Sequence, residues 1–313
     1  MTLRGHFWTV VPHVVQRLRR DAGPEARLWT TTLEDPTVGP VRLSGLLHEP
    51  GGARALLVVV HGLGGSASSH YAVRAARAAE AAGLACLRLL LRGADGSGED
   101  FYNAGLIEDL RAAVESPEAR RYESLVILGY SLGGHLALRY AVEQPDPRVR
   151  AVAAVCAPLD LNLSQRAIDR PGLALYRHYL LANLRRLMAA VEARRPLPVP
   201  LSVLRTVRTL REWDRQSVAP RFGFASPEDY YTRMSVGPHL ARLRLPALLV
   251  AAEADPMVPP ATLRPSLAAD PDNLTVQWVA RGGHVRFPAD LDLGFPGRPG
   301  LEPQVLAWLQ AQL

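Results

Sequence analysis

A serine hydroxyl is a poor nucleophile at neutral pH and gains reactivity beside a base that can take its proton. Ser131 is the candidate nucleophile, because it sits in Gly129-Tyr130-Ser131-Leu132-Gly133 with a further glycine, Gly134, behind it. His284, in Gly282-Gly283-His284, is the candidate base. An imidazole in that role needs an acid to fix its tautomer and to stabilise its charged form. Asp255 leads among the acids, with Asp160 and Glu253 as competitors. Acyl chemistry also needs donors for a tetrahedral oxyanion. The N–H of Leu132 follows the nucleophile, and the N–H of Leu63 lies in the glycine-rich His61-Gly62-Leu63-Gly64-Gly65. Such a set works without a metal or an organic cofactor. The other histidines read differently: His61 supports the Leu63 loop, His135 is a packing residue or pocket neighbour, and His70 faces solvent, with lining the entrance to a pocket as the alternative.

These groups must be held by a scaffold. The run 124–128 is short, apolar and rich in strand formers, and 132–142 carries apolar residues at helical spacing. Strand, glycine-flanked serine and helix together make a nucleophile elbow, which a bare G-x-S-x-G does not. The run 55–60 is apolar without alternation, as in a central strand covered on both faces. Further strands are expected over 28–33, 41–47, 84–91, 149–156, 247–252 and 274–280. Helices are expected over 69–82, 106–114, 261–268 and 302–312. This alternation predicts an α/β fold with a mostly parallel sheet. It breaks after Cys156. Residues 158–240 show helical patterns at 173–191 and 201–213 and no strand pattern. The division expected is an α/β core of residues 1–156 and 241–313 with a helical cap insertion at 157–240. The triad residues then each follow a strand's carboxyl end, in the order serine, aspartate, histidine of α/β-hydrolases. Residues 10–20 read as a short basic helix or an arm.

Composition narrows the function classes. The chain has 313 residues, 48% of them hydrophobic and 21% charged, as in an ordinary folded protein. Its formal charge is +6, and all 36 basic residues are arginine. They are scattered, with no concentrated patch or module of the kind that binds nucleic acid. Without lysine, and without G-x-G-x-x-G after residue 60, the Leu63 loop does not read as a phosphate cradle. Cys86 and Cys156 lie in apolar runs and read as reduced, buried thiols of a cytoplasmic protein. The N-terminal residues do not resemble a signal peptide, and no apolar run is long enough to span a membrane. Peripheral membrane contact through the arginine-rich residues 1–24 is a further expectation.

With these motifs in view, the chain resembles the YheT-like branch of α/β-hydrolases, whose relatives include esterases, phospholipases and alcohol acyltransferases. The resemblance spans nearly the whole chain. Gly5-His6-Phe7-Trp8-Thr9-Val10 is similar to the family's GH-x-QT segment, with Trp8 in place of glutamine. His61-Gly62-Leu63, the elbow and Pro158-Leu159-Asp160-Leu161 match closely. Leu210-Arg211-Glu212-Trp213-Asp214, Gly223-Phe224 and Asp229-Tyr230-Tyr231 resemble the cap signature. Asp255-Pro256 and Gly282-Gly283-His284-Val285 complete the set. Leu91 and His135 stand where the family usually has asparagine. The resemblance implies triad roles for Ser131, Asp255 and His284 and a structural role for Asp160. A serine carboxylic-ester hydrolase acting on a small-molecule or lipid ester is therefore expected. Cap residues Leu173, Tyr176, Tyr179, Leu180, Leu204 and Trp213 favour an acyl chain, though cap packing alone would also use them. The alternatives are an acyltransferase with an alcohol or lysolipid acceptor, and a non-catalytic binding protein on the same fold.

Overall fold

The computed structural model describes residues 23–313 apart from Gln144. The expectations for residues 1–22, including the basic helix and the 5–10 segment, lie outside the described residues. Eight strands form one sheet in the order β1-β2-β4-β3-β5-β6-β7-β8. They are β1 (Arg27–Asp35), β2 (Gly39–His48), β3 (Ala55–Val60), β4 (Ala85–Leu90), β5 (Ser124–Tyr130), β6 (Val149–Val155), β7 (Ala247–Ala252) and β8 (Leu274–Val279). β2 runs antiparallel to both β1 and β4, and every other pairing is parallel.

The unbroken apolarity of β3 has the expected cause. All six residues are buried between β4 and β5. Leu56, Val58 and Val60 face one core, and Ala55, Leu57 and Val59 face the other. Helices α1 (His70–Ala81) and α11 (Leu301–Gln310) cover the second face, with Ala72, Ala76, Val305 and Leu309 inside. Helices α2 (Glu108–Glu115) and α3 (Leu132–Val142) cover the first, with Leu110, Val114, Leu136 and Tyr140 inside. α10 (Pro260–Leu267) links β7 to β8.

Between β6 and β7 the chain is helical: α4 (Leu161–Ile168), α5 (Ala174–Glu192), α6 (Leu201–Thr206), α7 (Leu210–Gln216), α8 (Val218–Phe222) and α9 (Pro227–Met234). Residues 201–213, read from sequence as one helical pattern, divide. Val207 is extended (φ −56°, ψ 134°), and its carbonyl accepts a 2.6 Å hydrogen bond from Arg185 Nη2. The Thr209 hydroxyl then caps α7 by accepting from the Glu212 N–H. α4, α8 and α9 had no individual counterpart in the sequence reading. Leu173, Leu180, Leu184, Met188, Leu204 and Trp213 of this insertion join the core cluster that contains β3 and α3. No described helix is long and apolar enough to cross a membrane.

A buried ion network also ties the insertion to the sheet. The Arg92 side chain is fully buried and lies 2.7 Å from Asp109, 2.8 Å from Asp35 and 3.1 Å from Asp100. Arg221 of α8 reaches Asp100 at 2.6 Å and Asp35 at 3.3 Å. Burial works against the Asp35 carboxylate, yet hydrogen bonds from Thr37, Arg92 and Val38 hold its pKa below the usual value.

Candidate active site

Ser131 joins β5 to α3, as the N-cap of α3, at φ 52°, ψ −119°, a conformation that non-glycine residues rarely adopt and that raises the side chain out of the sheet. The turn is closed too tightly for larger flanking residues. A Cβ on Gly129 would lie 2.1 Å from the Gly133 carbonyl oxygen, and one on Gly133 would lie 2.2 Å from that of Val60. Ser131 Oγ is 2.9 Å from His284 Nε2, and His284 Nδ1 is 2.9 Å from Asp255 Oδ2. Asp255 Oδ1 accepts from the N–H groups of Met257 (2.8 Å) and Val258 (3.0 Å), which fixes the carboxylate plane. Asp255 and His284 are buried, and Ser131 is half-buried.

Of the competing acids, Asp160 is the N-cap of α4 and accepts from the Leu163 N–H at 2.9 Å. Glu253 is exposed.

The Leu63 loop lies against the serine, since a Cβ on Gly62 would be 3.1 Å from Ser131 Cβ. Two tyrosines that no sequence motif marks hold it there. Tyr71 Oη accepts from the Gly62 N–H at 3.1 Å, and Tyr102 Oη accepts from the Gly64 N–H at 2.8 Å. The Gly65 N–H donates to the Gly62 carbonyl. The N–H groups of Leu63 and Leu132 donate to no acceptor among the described residues, and both residues line the cavity above Ser131. His61 supports this loop as expected. Burial pushes its pKa down to about 4, so the ring is neutral. Its Nε2 accepts from the Leu91 N–H at 3.2 Å, which leaves Nδ1–H to donate to the Gly62 carbonyl at 2.8 Å. His135 is fully buried between the carbonyls of Pro158 and Met234, 2.8 and 2.9 Å away, and joins α3 to the insertion. Of the two readings for His70, the pocket holds and solvent does not: it is half-buried and lines the cavity.

Cys156 has a larger part than an inert thiol. Its Sγ accepts from the Val285 N–H at 3.4 Å and donates to the Gly283 carbonyl at 3.7 Å, so one sulfur holds both neighbours of His284. Cys156 and Val285 both adopt positive φ, 51° and 52°. Burial, with the Asp255 charge beside it, pushes the thiol pKa far up, so it stays protonated. Cys156, Asp255 and His284 are the described residues whose donor atoms lie close enough, within 4.8 Å, to share a metal ion. The imidazole and the carboxylate are already bonded to each other there.

The cavity over Ser131 and His284 has a volume of about 860 Å³, within the range of small-molecule sites. Its floor is the sheet end and its walls come from the insertion, including Leu161, Tyr176, Leu180 and Trp213. Of the cap residues singled out in the sequence, Tyr176, Tyr179, Leu180 and Trp213 line it, whereas Leu173 and Leu204 are packing.

A family profile described as the Alpha/beta hydrolase family matches residues 57–292, which span the elbow, the acid and the histidine. The chain belongs to the α/β-hydrolase family. "Putative esterase YheT" of Escherichia coli (strain K12) is 32% identical over 266 residues, covering 82% of this chain and 74% of that protein, which places the chain in the YheT-like branch. A monoacylglycerol lipase of Saccharomyces cerevisiae is 26% identical over 59% of this chain, and phospholipase ABHD3 of Mus musculus is 25% identical over 75% of it. The chain spans 43% and 58% of the lengths of these two proteins. Among solved structures, the Pyrococcus furiosus esterase Pf2001 shares the fold, with a TM-score of 0.53 at 15% identity, over 83% of this chain and 85% of that one. Family, fold and the hydrogen-bonded serine, histidine and aspartate support a serine-hydrolase mechanism of the esterase and lipase type.

Proposed function

We propose that this hydrolase cleaves carboxylic esters with an apolar acyl chain, with Ser131 as nucleophile, His284 as base and Asp255 as the orienting acid. The observation that carries this reading is the hydrogen-bonded line from Ser131 Oγ through His284 to Asp255, opening onto an apolar-walled cavity. Ser131 Oγ attacks the acyl carbonyl as its proton passes to His284 Nε2, while Nδ1–H donates to Asp255. The N–H groups of Leu63 and Leu132 receive the oxyanion, which is what two inward, uncommitted donors are suited to do. The alcohol leaves with the proton from His284, and water then repeats the sequence on the acyl-enzyme. Residues 157–240 act as the cap that shapes the acyl site, over a core of residues 1–156 and 241–313. Two buried free thiols suit a reducing compartment, and we assign the chain to the cytoplasm.

The test is labelling with a fluorophosphonate followed by an acyl-ester panel. The wild type should label and Ser131→Ala should not. Equal labelling of the two proteins, or a labelled wild type that cleaves no carboxylic ester, removes the reading.

A further inference from the structure

The buried aspartates that link core and insertion are paired with arginine: Asp35, Asp100 and Asp109 share Arg92 and Arg221. Asp214 of α7 is different. No arginine lies within ion-pair distance of it among the described residues, in a chain with 36 of them. Its Oδ2 accepts from the Tyr231 hydroxyl of α9 at 2.6 Å. Its Oδ1 accepts no hydrogen bond among the described residues. The residue is half-buried and lines the cavity shared with Ser131 and His284. Trp213, Tyr230 and Gln165 line the same cavity. Tyr231 satisfies Oδ2, and Oδ1 is left open to water or to a bound ligand.

Burial, with Asp169 nearby and against the Tyr231 hydrogen bond, pushes the Asp214 carboxyl up to about 7. The acid form therefore persists to higher pH than in an ordinary carboxyl group. A fixed cation suits only the ionised form. A hydroxyl, which both donates and accepts, suits either.

We propose that Asp214 is a substrate-reading residue whose cavity-facing oxygen bonds a hydroxyl group carried by the ester, so that the enzyme selects hydroxylated esters over plain alkyl esters of the same size. This rests on the ester-hydrolase reading given above. The hydroxyl belongs to the alcohol arm or to the far end of the acyl arm, according to which of the two lies along α7.

The test compares kcat/KM of the full chain for propyl octanoate, 3-hydroxypropyl octanoate, propyl 8-hydroxyoctanoate and the cationic 3-(dimethylamino)propyl octanoate. Wild type should favour one hydroxylated ester over the plain ester by about tenfold or more, the effect of a hydrogen bond to a buried, chargeable group. Asp214→Asn keeps an acceptor for the Tyr231 hydroxyl and presents an amide to the cavity. It should keep only part of that preference, because the amide can still donate to the hydroxyl but offers no chargeable acceptor, and the readout is the ratio between esters, not the absolute rate on any one of them. The double variant Asp214→Leu/Tyr231→Phe removes the carboxyl without orphaning the tyrosine hydroxyl, and should lose the preference as well. A purely structural role for Asp214 would lower all four activities together and leave their ratio intact, and that result overturns the proposal. A wild-type preference near one overturns it too, whether or not the variants fold. A preference for the cationic ester above both hydroxylated ones refutes the hydroxyl class. Failure of the underlying reading is distinct, because the wild type would then cleave none of the four esters.

Discussion

Replacing Asp255 with asparagine separates the orienting role of the acid from its shape. The two side chains are nearly isosteric, so the outcome depends on which way the amide turns. Asp255 Oδ1 accepts two backbone N–H groups, from Met257 and Val258, and Oδ2 faces His284 Nδ1 at 2.9 Å. Turning the amide so that its NH2 faced those two donors would leave both buried N–H groups unsatisfied, at about 1–3 kcal/mol each. The amide oxygen therefore stays on the backbone side and the NH2 points at the imidazole. A ring nitrogen facing an NH2 must be an acceptor, so the proton moves to Nε2, and Nε2 can no longer take the proton of Ser131. The same tautomer error in a serine-protease triad lowers kcat by about 10⁴, equivalent to about 5.5 kcal/mol of barrier. Asp255→Asn should lose on the order of 10³ to 10⁴ in kcat on a chromogenic ester, with its urea midpoint almost unchanged. Asp160→Asn, which keeps an N-cap acceptor for α4, should lose less than about threefold. A folded Asp255→Asn protein within about tenfold of wild type would refute the assignment of Asp255 and of the tautomer argument with it.

Other perturbations follow from the same geometry. Ser131→Gly should be more stable than Ser131→Ala by about 1 kcal/mol in urea unfolding, because only glycine takes φ 52°, ψ −119° without strain. Cys156→Ala removes the one atom that holds both neighbours of His284. It should cost about tenfold in kcat, on the scale of a small misplacement of a catalytic group, and Cys156→Ser should recover most of it. Arg221→Met leaves Asp100 and Asp35 one cation short, and should lower unfolding free energy by about 3 kcal/mol in denaturant titration. His61, held near pKa 4 by burial, is neutral in the fold and takes up a proton on unfolding below about pH 6.5. Stability should therefore fall as pH drops from about 6.5 towards 4, by up to about 1.4 kcal/mol per unit. Flat stability over that window would show that His61 is protonated in the native state.

Much of this fold was legible because its signals are local. β3 and α3 declare themselves by apolar continuity and by helical spacing, and their boundaries in the structure are those of the sequence runs. Ser131 and His284 were found because glycines mark the tight turns around them, and Asp255 because a strand ends just before it. What stayed hidden depends on contacts between distant segments. The break at Val207 is held by Arg185, 22 positions away. Tyr71 and Tyr102 look like ordinary aromatics until their hydroxyls are seen on Gly62 and Gly64. The sulfur of Cys156 meets Val285 across 129 positions, and no spacing rule reaches that far. His70 was assigned to solvent because nothing near it in sequence shows that the insertion folds over it.

The ion network around Arg92 bears on how such enzymes can be recombined. Three aspartates, Asp35, Asp100 and Asp109, come from segments that precede the insertion, and one of the two arginines that serve them, Arg221, comes from within it. A chimera that grafts another relative's helices onto this sheet inherits the aspartates and loses a counter-charge, unless the donor happens to place a cation at the same point. Loop lengths and crossing geometry could match well and the hybrid would still carry an excess of buried negative charge. Charge compatibility between sheet and insertion then turns on one position, and lineages exchanging these segments should change residue 221 together with residues 35 and 100.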